Sequence, residues 1–300
     1  MLKYHLKLHL IVFLWGFTAI LGKLITIPAV ELVFWRTLFA AVSLGMLILL
    51  LGKKPVSSLK AAIPLILTGF VVGFHWMTFF ASAQISKVSI CLAGLSTSTL
   101  FTSLLDPIIN NRKIKLYEIA LGCVAILGLY TIFQFEFDHA LGLSLGLMSA
   151  FLAALFSVLN AKHYQKFDSF SITLYEMIGG FVCAVIFVPL YHLIFGEGFK
   201  LPSIPPALDW LWLIILAIVC TVYAFYECVK LLAKLSIFYI NLTINLEPVY
   251  GILLAFLVFN KDEQMTSGFY LGTFLILCSV LIYPILQKME KKRLRKSKMA

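Results

Sequence analysis

Apolar residues in this chain run in long uninterrupted blocks from Leu8 to Gln287, separated by short polar stretches such as "GKKPVSSLK", "NNRKIK", "FEFDH" and "NKDEQMTS". A helix needs about 20 apolar residues to cross roughly 30 Å of hydrocarbon. By that measure the blocks predict ten spanning helices, at 7–27, 29–51, 62–83, 88–109, 116–135, 140–161, 169–194, 209–231, 236–259 and 267–287. The longest connection, "FGEGFKLPSIPPALD", is rich in Pro and Gly and reads as an exposed loop. The stretch from Leu8 lacks a small-residue cleavage pattern and is taken as the first span, with no cleavable leader expected.

The blocks repeat. "SKVSICLAGLSTSTLF" (86–101) aligns with "AKLSIFYINLTINLEP" (233–248), pairing Lys87 with Lys234 and Ser89 with Ser236. "EIALGCVAILG" (118–128) aligns with "FYLGTFLILCS" (269–279), and "ELVFWRTLFAAV" with "SITLYEMIGGFV", which sets Arg36 opposite Glu176. Matches in one order across several spans indicate a duplicated unit. Five spans is an odd number, so the second copy enters the membrane from the opposite face. The fold expected is all-α and integral to the membrane, ten helices as two inverted five-helix repeats (1–136 and 137–288) with a basic tail (289–300). Such inverted repeats are a transporter architecture.

Composition agrees with this and charge orients it. Of 300 residues, 61% are hydrophobic and 13% charged, and mean hydropathy is +0.99. A water-soluble domain needs far more polar surface. With the N-terminus placed in the cytoplasm, 19 Lys and Arg fall on the inside segments and tail and 4 outside, with Arg36 left in a span. Both termini are then cytoplasmic. Short loops point to a bacterial inner membrane. The net charge of +10 reports topology and contact with anionic lipid rather than nucleic acid. Six Cys are scattered through apolar runs and read as small packing residues.

The chain resembles the EamA family of the drug/metabolite transporter superfamily over nearly everything from Leu8 to Gln287. The resemblance is carried by "WGFTAILGK" (15–23), "FWRTLFA" (34–40) and "LSIFYINLTINLEPVYGILLAFLVFNKDEQMTSGFYLG" (235–272). In the first half, Phe101 replaces the proline matching Pro248, and Lys113 the acidic residue matching Glu263. The resemblance implies alternating-access transport of small solutes, often amino acids, other metabolites or drugs. It also favours placing Trp15 beside a cavity.

Charges inside spans are the main candidate chemistry, because an ionised side chain at the bilayer centre costs at least ~2.5–3.5 kcal/mol. Arg36 and Glu176 each lie about 11 Å into their spans, from opposite faces, and Glu247 sits near the midplane. The expectation is that all three share a layer. Arg36 would receive an anionic group of the solute, since its planar fork grips a carboxylate and stays charged. Glu176 or Glu247 would face the solute's cationic end or carry a coupling proton. The plainer alternative is an Arg36–carboxylate ion pair that only pins helices. In "NLTINLEPVYGIL" (241–253), Asn241, Asn245 and Pro248 share one face, while Thr243, Glu247 and Tyr250 share nearly the other. Pro248 would kink the helix near the midplane. Trp15, His75, Trp76 and Tyr223 complete the candidate set, each also readable as packing. Glu227 reads as a partner of Lys230.

Rival classes lack their signatures. No paired acidic metal motif, H-E-x-x-H or phosphate-binding loop occurs, so no enzyme, cofactor, metal or direct ATP use is expected. Intramembrane charges are too few and mixed for a channel, and the loops are too short for a sensing domain. The function expected is secondary active transport of an amino acid-like solute, as export, coupled to a proton or to counter-exchange. The second reading is broad efflux of amphipathic compounds. The sequence sets no oligomeric state.

Overall fold

A computed structural model describes residues 2–56, 58–111, 115–196, 198–232, 234–235, 243–244 and 246–297. Among these residues the chain is helices and connections. They are α1 (Leu2–Leu24), α2 (Ala29–Leu50), α3 (Leu59–Ile85), α4 (Val88–Leu95), α5 (Ser98–Asn110), α6 (Leu116–Phe135), α7 (Ala140–His163) and α8 (Ser169–Ile194). There follow α9 (Ala207–Ile214), a wide π stretch (Ile215–Tyr223) and α10 (Ala224–Leu232), then α11 (Glu247–Phe259) and α12 (Ser267–Ser297). Among the described residues, nine helices or continuous helical runs are long and apolar enough to span a membrane, and α11 is a shorter apolar helix. The expected first part of the ninth span, residues 236–242, lies outside the described residues, as does 245.

The predicted spans that the structure interrupts are informative. The fourth span divides at Ser96 and Thr97, where the Thr97 N–H turns to the Gly94 carbonyl (3.1 Å), one residue tighter than an α-helix. Both hydroxyls donate backwards, Ser96 to Ala93 and Thr97 to Gly94, which competes with regular winding. In the ninth span a helix starts afresh at Glu247. Pro248 therefore does not kink a continuous helix. It occupies the first turn, where its missing N–H leaves no bond unmade. By the alignment of the two halves, Ser96 corresponds to Thr243 and Leu100 to Glu247, so both fourth helices are interrupted near the same place. α12 runs unbroken through 31 residues, about 46 Å, so it continues beyond the hydrocarbon thickness into the basic segment.

Packing follows the duplication. α1 lies on α11 as α7 lies on α4 and α5, α2 pairs with α8, and α6 with α12. Without a hydrophobic drive between helices in lipid, close contact depends on small residues. An added Cβ at Gly69 of α3 would fall on the backbone of Glu176, and one at Gly179 of α8 on that of Ile66 and Gly69. A Cβ added at Gly16 would come within 2.9–3.0 Å of the backbone of Glu247 and Gly251. Gly94 meets Gly146, and Gly128 meets Gly272, in the same manner.

The connections are held by buried carboxylates that accept backbone N–H groups of another element. Asp209 takes the N–H of Thr26 (2.9 Å) and Ile27 (3.3 Å) and the Thr26 hydroxyl (2.8 Å). Glu263 takes the N–H of Val88 (2.8 Å) and Ser89 (2.9 Å) at the start of α4. Glu136 holds Thr266, and Glu31 joins His192 to Ser203 of the long loop. Gln84 donates to the carbonyls of Gly22, Ile25 and Ile27. At the opposite end Glu227 pairs with Lys7 of α1 (2.6 Å) and Lys115 with Glu290.

Overpacking a glycine seam costs about 1–3 kcal/mol or more. Gly179→Leu is expected to lower the melting temperature in detergent and increase aggregation on size-exclusion chromatography. Gly45→Ala, with nothing within 4 Å of the added atom, is expected to leave melting unchanged or raise it.

Candidate functional site

Arg36 lies on α2, two turns in from its first residue, and is 3% exposed. Its guanidinium rests on the Trp76 ring at 3.8 Å from the centroid, with Phe80 one turn further along α3 at 5.4 Å. A cation over an indole face is attracted by the ring quadrupole, by about 2 kcal/mol or more once desolvated. Nε donates to the Thr221 hydroxyl (3.0 Å). Thr221 belongs to the π stretch, and its hydroxyl donates to the Leu216 carbonyl five residues back (2.8 Å). The extra residue per turn supplies that acceptor and directs Thr221 at α2. Among the described residues Arg36 makes no ion pair and no other hydrogen bond, so its Nη groups remain available to an acceptor.

Glu247 is the residue nearest in chemical sense to a counter-charge. It opens α11, where the exposed N–H groups and the helix dipole favour a carboxylate. It and Arg36 act on each other electrostatically without closing to an ion pair. Among the described residues the Glu247 carboxylate takes no hydrogen bond. The opposing faces expected for this segment resolve here, because the interruption ahead of Glu247 frees α11 from the register before it. Tyr250 reaches His9 of α1 (2.7 Å), Gly251 packs on Leu92, and Thr243 is buried. Asn241 and Asn245 lie outside the described residues.

The other candidates divide. Trp76 is the platform under Arg36. His75 is buried and bonded through Nδ1 to the carbonyl (2.9 Å) and hydroxyl (2.8 Å) of Ser149 on α7, a helix-joining role. Trp15 donates to the Cys220 carbonyl (3.2 Å) in the π stretch and packs edge-on against Phe225, so it braces α1 against that stretch. Tyr223 is 38% exposed and shares no hydrogen bond with the Arg36 group. Glu176 shares no hydrogen bond or ion pair with Arg36 or Glu247. It is turned toward α7, where Asn160 is its polar neighbour and Tyr164 lies close. The single layer of three charges expected from depth is thus two groups: Arg36 with Glu247, and Glu176 with Asn160.

The sequence pattern of the EamA-like transporter family matches twice, over residues 2–134 and 140–283. The chain belongs to the EamA-like transporter family. A relative in Bacillus subtilis (strain 168), the uncharacterized transporter YxxF, is 23% identical over 272 residues, covering 88% of this chain and 85% of the relative. A crystal structure of a protein superposes with a TM-score of 0.61 at 14% identity, over 95% of this chain and 98% of the other; that likeness shows the fold. The protein is a multi-pass membrane transporter.

Three residues of this EamA-like site escaped the sequence reading: Phe80, Thr221 and Asn160. Trp76 was chosen without its partner. Counting depth would have joined them, since Arg36 is seven residues from the start of α2 and Trp76 nine from the end of α3 at the same face, about 11 and 14 Å. Thr221 gave no such signal, because its direction depends on the π winding.

Removing the Thr221 hydroxyl strands a buried guanidinium N–H, a loss of about 1.5–3 kcal/mol. Thr221→Val is expected to lower thermal stability by that order and Thr221→Ser to restore it, as read by unfolding of the purified protein in detergent.

Proposed function

We propose that this protein is a secondary active transporter for a small amino acid-like solute, with Arg36 receiving the solute's carboxylate and Glu247 its ammonium group. The observation that carries this reading is the state of Arg36: buried, fixed in plane by Trp76 and Thr221, yet with its Nη groups unbonded among the described residues. A planar fork held in that way suits bidentate capture of a carboxylate. Glu247 supplies the opposite charge at the start of a helix set within the membrane, the position at which interrupted helices of inverted-repeat transporters hold solute. Here Trp76, Phe80 and His75 are buried around the guanidinium, so the solute enters by parting side chains.

Alternating access follows from two half-bundles meeting along glycine seams. The 19-to-4 distribution of basic residues favours both termini on the cytoplasmic side, and the direction proposed across that membrane is export. The solute would displace the Arg36–Glu247 attraction with its own pair of charges, so loaded and empty forms have similar electrostatic energy.

A thermal-shift screen of purified protein against amino acids, nucleosides, vitamins and dyes finds the solute. Binding at 100 times Kd stabilises by about 2.7 kcal/mol. Amino acids are expected to score and uncharged nucleosides to fail; dyes alone would support broad efflux instead. In proteoliposomes, Arg36→Lys and Glu247→Gln are each expected to weaken uptake of the scoring solute roughly 10- to 150-fold, the value of one charge-assisted contact. Wild-type rates in both would remove these residues from the site.

A further inference from the structure

Glu176 of α8 is 2% exposed and Asn160 of α7 7% exposed, on two helices that both pack against α3. Glu176 Oε1 and Asn160 Oδ1 are both buried without a hydrogen-bond partner. Asn160 is the polar side chain beside Glu176, and two neighbouring side chains that each keep a buried acceptor oxygen without a donor are an arrangement that folded proteins rarely hold without a reason. From α3 the approach is backbone, since Gly69 packs onto Glu176 itself. His163, further along α7, is turned to Thr68 of α3 (3.0 Å). From α2, Thr37 packs at Gly180, one turn along from Glu176. Beyond Asn160 stands Tyr164, whose own neighbour is Cys228 of α10. Among the described residues no Lys, Arg or His forms an ion pair with Glu176.

Glu247 differs in what surrounds it: it has a helix N-terminus and it has Arg36. An ionised Glu176 has neither, and an unpaired charge in such a place costs several kcal/mol. A proton on the carboxyl removes that charge and turns an unpartnered acceptor into a donor, and a half-turn of the Asn160 amide, which carries a donor at one end and an acceptor at the other, presents its oxygen to that donor. Two oxygens are also too few to replace the shell of a metal cation, which takes about six.

We infer that Glu176, with Asn160 as its hydrogen-bond acceptor, is the binding site of a coupling proton, separate from the solute site at Arg36 and Glu247. The assignment of coupling, though not of proton binding, rests on the transporter reading above. Release is simple in balance: the carboxyl O–H bond breaks, the proton passes to water admitted from one side, and a carboxylate remains. Rocking at the Gly69–Gly179 seam changes what reaches Glu176, because that seam is formed by the Glu176 backbone itself.

Infrared difference titration of the full-length protein in lipid, without solute, tests proton binding directly. A carbonyl stretch of a protonated carboxyl is expected to grow as pH is lowered. It should vanish in Glu176→Gln, shift in Asn160→Ala and persist in Glu247→Gln. Absence of the band from the wild type, its survival in Glu176→Gln, or titration by sodium in place of protons would overturn the site. In proteoliposomes, a pH gradient is expected to drive accumulation of the solute found by thermal shift, and Glu176→Gln to lose that accumulation. Flux indifferent to the gradient would overturn coupling while leaving proton binding intact. Failure of every solute to move, with the band still present, would count against the transport reading alone.

Discussion

A guanidinium pressed against an indole inside the membrane organises this molecule. Arg36 has no carboxylate at bonding distance among the described residues, so its charge is stabilised by the Trp76 face and one hydroxyl, Thr221. That arrangement requires three helices to meet at one point: α2 for the cation, α3 for the ring and the π stretch for the hydroxyl. Each of the three is then constrained elsewhere. Trp15 fixes the Cys220 carbonyl beside Thr221, His75 ties α3 to α7 beside Trp76, and Thr37 packs α2 onto α8 at Gly180. Removing any of these supports would disturb a charge that water cannot reach to rescue.

Glycine decides how near the helices come, and carboxylates decide where the connections sit. Lipid offers backbone N–H groups no alternative partner, so irregular chain must be satisfied from within. Asp209, Glu263, Glu136 and Glu31 do this at one end of the bundle. The seams at Gly69–Gly179 and Gly128–Gly272 need no polar contact, since backbone packing suffices there. Polar groups near the middle are accordingly spared for other work.

The spans were legible because hydrocarbon thickness sets a length that composition must meet, and boundaries for α2, α6, α7 and α8 fall within a few residues of those expected. The interruptions were not legible. Ser96 and Thr97 are compatible with a helix in isolation, and only the hydroxyl bonds to Ala93 and Gly94 loosen it. Pro248 was visible as a breaker, yet a proline serves equally as a kink or as a beginning, and sequence does not distinguish them. Depth counting placed Arg36, Glu176 and Glu247 in one layer, but depth carries no information on azimuth: Arg36 and Glu247 act on each other, while Glu176 has Asn160 as its polar neighbour.

The π stretch at Ile215–Tyr223 holds more backbone than an α-helix of the same rise. A surplus of that kind behaves as a dislocation in a crystal: it can glide along the rod, one exchanged hydrogen bond at a time, without the rod ever breaking. Each residue of glide turns the segment it passes by about 100°. The stretch touches both α1 and α2, so such a glide would act as a ratchet between the two half-bundles, swinging Thr221 on or off the Arg36 guanidinium without unwinding either end of its helix.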